Sequence, residues 1–354
     1  MTKTLAVLFG GQSSEHDISC MSAANIADCI DTSRYELYLI GITREGRWLL
    51  VDSTDDIRSG DWTSSKTGAI LSPDAKHSCI IISEDASYTR VSVDIVFPVL
   101  HGRLGEDGTV QGLCELAQIP YVGCGVFASA ASMDKLYTKI VVDVAGIKQA
   151  QYISALSHEW QDKKDDIVSR IERELSYPVF VKPSRAGSSC GITRAEDRKH
   201  LLEGIEEAFR FDTKALIEKQ IVGREVECAV YSTGNDEPMA SGVGEIIADG
   251  KFYDFDAKYH SPESKTLVEP DIPSEIVADI QKKAIEIYKA LDCYGMSRVD
   301  FFLEEDGQVV FNEINTIPGF TAISMYPMLW EARGIEKKAL VEKLIESAMA
   351  RSLL

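Results

Sequence analysis

Between residues 4 and 122, short apolar runs alternate with stretches of helical spacing, and this alternation restricts the possible folds more than any other feature of the chain. Thr4–Phe9 is an apolar run stopped by Gly10-Gly11, and Asp17–Ile30 follows with helical spacing. Tyr35–Ile42 and Asp94–Leu100 read as further strands, Val110–Ala117 as a helix and Pro120–Val122 as a short strand. Strands separated by helices point to a parallel, doubly wound sheet, an α/β arrangement. Ser53–Ser87 is polar and irregular in pattern and is expected to be a surface excursion.

At 354 residues the chain calls for roughly two to three domains. Phe127–Ala145 has helical spacing and is expected to cross into a second unit. There Tyr177–Lys182 reads as a strand, Arg198–Phe209 as a helix, and Ala215–Gln220 and Glu225–Tyr231 as strands. Ile276, Ile280, Ala284, Ile287 and Leu291 fall on one face of a helix over Glu275–Leu291, with Ser274 as its expected N-cap. Strands at Ser297–Leu303 and Val309–Glu313 and a helix at Glu336–Ala350 complete the pattern. The expected units are 1–123, 124–222 and 223–354.

The formal net charge of −19 argues against a nucleic-acid partner, because phosphate backbones need a basic footprint. Any polyphosphate site must then be made locally basic by individual lysines. No run approaches the roughly 18–20 apolar residues of a membrane span, and the apolar start is cut short by Gly10-Gly11-Gln12 and Glu15. The eight cysteines include no C-x-x-C pair and read as single thiols of a reducing compartment, so the expected location is the cytoplasm.

Chemistry concentrates in two late segments, Arg298-Val299-Asp300 and Phe311-Asn312-Glu313-Ile314-Asn315. If both are strands, alternation puts Arg298 with Asp300 on one face and Glu313 with Asn315 on one face. Asp300, Glu313 and Asn315 would then offer hard oxygen ligands suited to Mg²⁺ held jointly with phosphates. The competing reading is a polar, solvent-facing side of a hairpin. The rigid turn Thr316-Ile317-Pro318-Gly319-Phe320 favours the metal reading, because it would bring the Gly319 amide close. Lys182 ends an apolar strand and precedes a Gly/Ser loop, residues 183–191, that is either a phosphate-binding nest or a plain turn. Lys135 and Lys258 are further candidates for phosphate charge. Residues 217–221 with Glu225 offer an edge for adenine and a carboxylate for ribose. Glu15, after the first strand, either orients a substrate ammonium or stabilises a helix N-terminus. Tyr137, Tyr326 and Trp330 are expected in core or interface positions, and His77, His158 and His200 in solvent.

In this order, the segments resemble the ATP-grasp superfamily and, within it, the D-alanine–D-alanine ligases. The resemblance runs from Leu5 to about Ile345. It is carried by Phe9-Gly10-Gly11 with Glu15–Ser19, by His101-Gly102-Arg103-Leu104-Gly105-Glu106-Asp107-Gly108, by Ser132–Lys135, by Lys182–Gly191, by Phe252–Tyr259 and by Asn312–Pro327. It implies an ATP-grasp fold behind an N-terminal Rossmann-like domain, with a lid loop over 252–270. It also implies ligation of two D-alanines through a D-alanyl phosphate, for peptidoglycan precursors of the cell wall. Among the implied roles, Glu15, Ser188 and Tyr259 form a closing triad over the first substrate, with His101 near that substrate's carboxylate. Lys135, Lys182, Lys258 and Ser189 serve the phosphates, and Glu218, Lys219, Ile221 and Glu225 the adenosine. Asp300, Glu313 and Asn315 would ligate two Mg²⁺ ions, which Mn²⁺ could replace. Arg298 and the Gly319 amide stabilise the tetrahedral oxyanion, and Ser324 with the Met325 amide hold the second carboxylate. A homodimer is implied as well. Tyr259, His16 and Met325 favour D-alanine as second substrate; the alternatives are D-serine and, behind it, D-lactate. A different ATP-grasp chemistry and a catalytically silent nucleotide sensor are the rival readings.

Overall fold

The structure, a computed structural model, describes residues 2–85, 87–234, 236–247 and 265–351. Three sheets organise them, each formed by its own stretch of chain.

The first sheet has the strand order β6-β5-β4-β3-β2-β1-β7. β1 (Lys3–Gly10) lies parallel to both β2 (Tyr35–Ile42) and β7 (Ile95–Val99). Both faces of β1 are covered. Leu5, Val7 and Phe9 enter one apolar cluster with helix α1 (His16–Cys29), while Ala6 and Leu8 enter another with α3 (Thr109–Ala117). Such double coverage is what makes a parallel strand read as a continuous apolar run. Tyr121 adds the short parallel bridge expected of Pro120–Val122, opposite Val96.

The expected irregular excursion over 53–87 is not what the chain forms. β3 (Trp48–Val51), β4 (Gly68–Leu71), β5 (Cys79–Glu84) and β6 (Ser87–Ser92) extend the sheet in antiparallel fashion, with helix α2 (Thr54–Ser59) between β3 and β4. The sheet is therefore mixed, parallel from β2 through β1 and β7 to the Tyr121 bridge and antiparallel beyond β2. These strands escape a sequence pattern because they are short and β6 is almost wholly exposed.

The expected single helix 127–145 is two: α4 (Val126–Met133) and α5 (Lys135–Val144), parted at Asp134, which has extended backbone. The break has a long-range cause. Ser184 Oγ donates to Asp134 Oδ1 at 2.6 Å, and Lys214 also pairs with this carboxylate. The Ser184 carbonyl accepts from Lys135 N–H at 2.8 Å, which supplies the partner that the start of α5 lacks.

The second sheet, β10-β9-β11-β8, is antiparallel and built from β8 (Tyr152–Leu156), β9 (Val179–Pro183), β10 (Thr193–Ala195) and β11 (Lys214–Lys219). Helices α6 (Ser157–Glu174) and α7 (Arg198–Ala208) cover it through Val168, Ile171, Leu201 and Ile205.

The third sheet, β14-β13-β12-β15-β16, uses β12 (Arg224–Ser232), β13 (Met239–Ile247), β14 (Lys265–Val268), β15 (Gly295–Leu303) and β16 (Val309–Asn315). Helix α8 (Ser274–Ala290) buries Ile280, Ala284 and Ile287 against it, the face read from the spacing. Its N-cap is Pro273 and not the expected Ser274, with no side-chain cap. After α9 (Met325–Ala332), the last helix, α10 (Lys337–Ala350), returns to the first sheet: Leu340, Val341, Leu344 and Ile345 share a cluster with Leu5, Val7 and Phe97. Tyr326 and Trp330 are core residues as expected, whereas Tyr137 is 55% exposed under the Lys214 ammonium. His77, His158 and His200 are exposed. Of the expected lid, residues 252–264, with Lys258 and Tyr259, lie outside the described residues, and the remainder includes β14.

Candidate active site

A cavity of about 390 Å³ opens where the three sheets meet. Among the described residues it is lined by Glu15, Lys135, Lys182, Ser188, Ser189, Glu218, Lys219, Ile221, Glu225, Asp300, Glu313 and Asn315, all singled out from sequence.

The third sheet delivers its polar face by register alone. Asp300 lies opposite Glu313 on β16 and opposite Glu227 on β12, so three carboxylates form a row across three strands. Like charges directly opposite one another on a sheet repel. The Arg298 guanidinium offsets that repulsion, with Nε and Nη2 donating to the two Asp300 oxygens at 2.8 and 2.7 Å and Nε lying 3.0 Å from Glu227 Oε2. Burial alone would lower the arginine's pKa, but Asp300 and Glu227 outweigh it and hold the guanidinium well above its ordinary value. Asn315 Nδ2 donates to Asp300 Oδ2 at 3.0 Å. With Arg298 and Asp300 each 8% exposed, the reading of a solvent-facing hairpin side is excluded.

The opposite charge pattern forms the floor. Glu218 on β11 meets Lys139 of α5 and Lys182 of β9, each Nζ 2.5 Å from one of its oxygens. Burial would raise this carboxyl, but Lys139 and then Lys182 outweigh it and bring it down to about 2. Lys182 in turn is held above its ordinary value, Glu218 overcoming the effect of burial. Lys135 Nζ donates to the Ala186 carbonyl at 2.7 Å, beside the Gly/Ser loop.

That loop reaches the N-terminal layer. Ser188 Oγ donates to Glu15 Oε1 at 2.5 Å, joining residues 173 apart in sequence. Ser188 and Ser189 both have left-handed backbone (φ 49° and 57°), a conformation that costs a non-glycine residue energy and persists when its surroundings over-determine it. Glycines make the approach possible: a Cβ on Gly187 would stand 2.5 Å from Glu15 Oε2, and one on Gly102 2.6 Å from the same atom. Glu15 also occupies the N-cap position of α1 without a side-chain cap bond, so its carboxylate serves the loop and not the helix end.

Five expected residues stand behind or beside this lining. Arg298 is paired with Asp300 and Glu227, as described. His101 Nδ1 faces the Ile317 carbonyl at 2.9 Å and Nε2 the Ser22 hydroxyl at 3.2 Å. Gly319 lies in the turn before Ser324, whose Oγ accepts from Thr321 N–H at 2.9 Å. Ser324 is the N-cap of α9, and Met325, its first residue, packs its side chain into the core against Gly244.

Three charged lining residues were given no role from sequence. Lys139 sits on the buried side of α5, a signal visible as a lysine on an apolar helical face. Glu227 alternates with Glu225 in an apolar strand, the mark of an acid facing a polar cleft. Glu106 accepts from the Gly102 and Ile317 amides at 2.9 and 2.8 Å. Burial first and the Glu15 charge second push it up to about 7. Its partners lie too far apart in sequence to be read as a pattern.

Residues 4–124 match the family model for the D-ala D-ala ligase N-terminus, and residues 141–346 that for the D-ala D-ala ligase C-terminus. The chain is 49% identical to the D-alanine–D-alanine ligase of Acetivibrio thermocellus, covering 99% of this chain and 96% of that one. Identity is 47% to the enzyme of the same name from Clostridium acetobutylicum, covering 99% of each. Among solved structures, the VanG D-Ala:D-Ser ligase from Enterococcus faecalis superposes with a TM-score of 0.89 at 38% identity, covering 98% of this chain and all of that one. The D-alanine–D-alanine ligase from Coxiella burnetii gives 0.82 at 35%, covering 98% and 94%. Matched by both family models and by relatives over nearly its full length, the chain belongs to the D-alanine–D-alanine ligase family.

Proposed function

We propose that this chain joins two D-alanines to D-alanyl-D-alanine with consumption of ATP, for the synthesis of peptidoglycan precursors in the cytoplasm. One observation carries the reading: a single cavity is lined at once by a lysine-rich floor, by a row of acids around an arginine, and by the Glu15–Ser188 bond.

A carboxylate is a poor electrophile. Transfer of the γ-phosphoryl group of ATP to the first D-alanine's carboxylate gives D-alanyl phosphate and ADP; the amine of the second then attacks the acyl carbon, and inorganic phosphate leaves. Lys135 and Lys182 neutralise phosphate charge, with Ser189 beside them. Glu218, Lys219, Ile221 and Glu225 border the adenosine. Glu15 and Ser188 close over the first substrate's amino end, and His101 lies behind its carboxylate. Arg298 and the Gly319 amide stabilise the oxyanion that develops during amide formation. Ser324 and the Met325 amide, at the start of a helix, suit the second substrate's carboxylate.

Two carboxylates and an amide oxygen on one wall form a hard-oxygen donor set, so Asp300, Glu313 and Asn315 fit Mg²⁺. When bound, the metal would supply countercharge to the phosphate oxygens. Among the described residues, no helix is long and apolar enough to cross a membrane. The homodimer belongs to the same reading and is supported by exposed Leu116, Phe127 and Val144 on the neighbouring helices α3, α4 and α5.

The test is phosphate release with ATP, Mg²⁺ and D-alanine alone, then with D-serine or D-lactate added, with the product mass measured. D-alanyl-D-alanine from D-alanine alone is expected. A mixed product dominating whenever D-serine is present would replace this reading with D-Ala–D-Ser ligation, the activity named for the VanG structure.

A further inference from the structure

The turn 316–320 is held by the N-terminal layer at four points. Ile317 N–H donates to Glu106 Oε1 at 2.8 Å, and His101 Nδ1 donates to the Ile317 carbonyl at 2.9 Å. Phe320 N–H donates to Ser22 Oγ at 3.1 Å, and Asn25 Nδ2 donates to the Phe320 carbonyl at 3.0 Å. The N–H and C=O of both residues flanking Pro318-Gly319 are thus gripped by side chains from α1 and the 101–106 turn.

Two features make this more than a set of contacts. First, it closes on itself. A carbonyl only accepts, so His101 Nδ1 carries the proton; in the neutral ring Nε2 then accepts from the Ser22 hydroxyl, 3.2 Å away, and that oxygen accepts from Phe320. The chain of bonds leaves the turn at Ile317 and re-enters it at Phe320. Second, Gly319 offers no side chain by which it could be held, and a Cβ there would stand 2.8 Å from Ser324 Oγ. Its amide can be oriented only through its neighbours in the chain.

We propose that Ser22 and Asn25, acting with His101 and Glu106, are positioning residues that aim the Gly319 amide at the developing oxyanion and so set the rate of amide formation. This rests on the ligase reading above, in which that amide is a donor. A donor must sit within a few tenths of an ångström of its target, and a 1 Å misplacement costs about 100-fold in rate.

The experiment compares Ser22→Ala, Asn25→Asp and the double variant with the unmodified protein. Asn25→Asp keeps shape and removes the donor to Phe320. Each is assayed for D-alanyl-D-alanine formation, for D-alanine-dependent positional isotope exchange within ATP, which reports acyl-phosphate formation, and for thermal midpoint. The expected result is a fall in peptide-forming kcat of about 10-fold per single variant and about 100-fold for the double, with the exchange rate, the KM for ATP and the midpoint close to those of the unmodified protein. Unchanged kcat overturns the proposal. So does an equal fall in both partial reactions, or a fall that tracks the midpoint, since either makes these residues merely structural. Failure of the ligase reading looks different: the unmodified protein itself would make no dipeptide.

Discussion

The floor and the acid row are two solutions to burying charge in one cavity, with opposite signs. On the floor, two ammonium groups surround one carboxylate, Glu218. In the row, three carboxylates lie across three strands around one guanidinium, Arg298. In the proposed reaction each group has an opposite guest, polyphosphate for the first and a divalent cation for the second. On this reading, a molecule carrying a net charge of −19 confines its affinity for nucleotide to a patch where lysines outnumber acids.

The comparison breaks most visibly at the arginine. Arg298→Ala should lower turnover about 1,000-fold or more, while ATP affinity, which the proposed reaction assigns to the floor, changes little; phosphate release and nucleotide titration measure the two. A parallel loss of ATP affinity would mean that the two regions are not separable. Next in size is Glu218→Gln, which leaves two buried lysines facing a neutral amide. We expect a loss of about 3 kcal/mol in urea denaturation at pH 7. Because the folded Glu218 titrates near 2 and its ordinary value is 4.5, the stability it contributes is present above pH 4.5 and is lost as pH falls toward 2. The gap between the unmodified protein and Glu218→Gln should therefore close over that window. Glu106 has the reverse sign. Its folded value near 7 lies above the ordinary 4.5, so it costs stability above pH 7, and Glu106→Gln relieves that cost there but not below pH 4.5. Glu313→Gln should raise the Mg²⁺ concentration for half-maximal turnover about 10-fold, removing one anionic oxygen ligand from the row. The smallest effect serves as a control: Lys163→Ala breaks an exposed helical pair with Glu159 and should leave the urea midpoint where it is in the unmodified protein.

The two regions also differ in how far the sequence discloses them. The row is largely readable, because Asp300, Glu313 and Asn315 sit on strands whose apolar alternation declares which residues share a face, and the hairpin brings them together within 15 residues. Glu227 joins only through β12, pairing 73 residues away with Asp300, so a single-strand pattern gives its direction but not its partner. The floor is less readable, since β9, β11 and α5 meet only in three dimensions and Lys139 is placed by the break at Asp134. That break depends on Ser184 and Lys214, 50 and 80 residues further on. Helical spacing continues across it, which is why α4 and α5 read as one helix. Resemblance to a known family pointed to Glu15 and Ser188; residue pattern alone left Glu15 between two roles, and their bond spans 173 positions.

The return of the C-terminal helix to the first sheet has a consequence for biosynthesis. Leu340, Val341, Leu344 and Ile345 fill the same cluster as Leu5, Val7 and Phe97. A chain emerging from the ribosome N-terminus first must therefore keep part of one face of its earliest strands uncovered until residues 337–350 arrive. Nascent chains stalled short of that helix should engage holding chaperones, and completion of the last turns should release them.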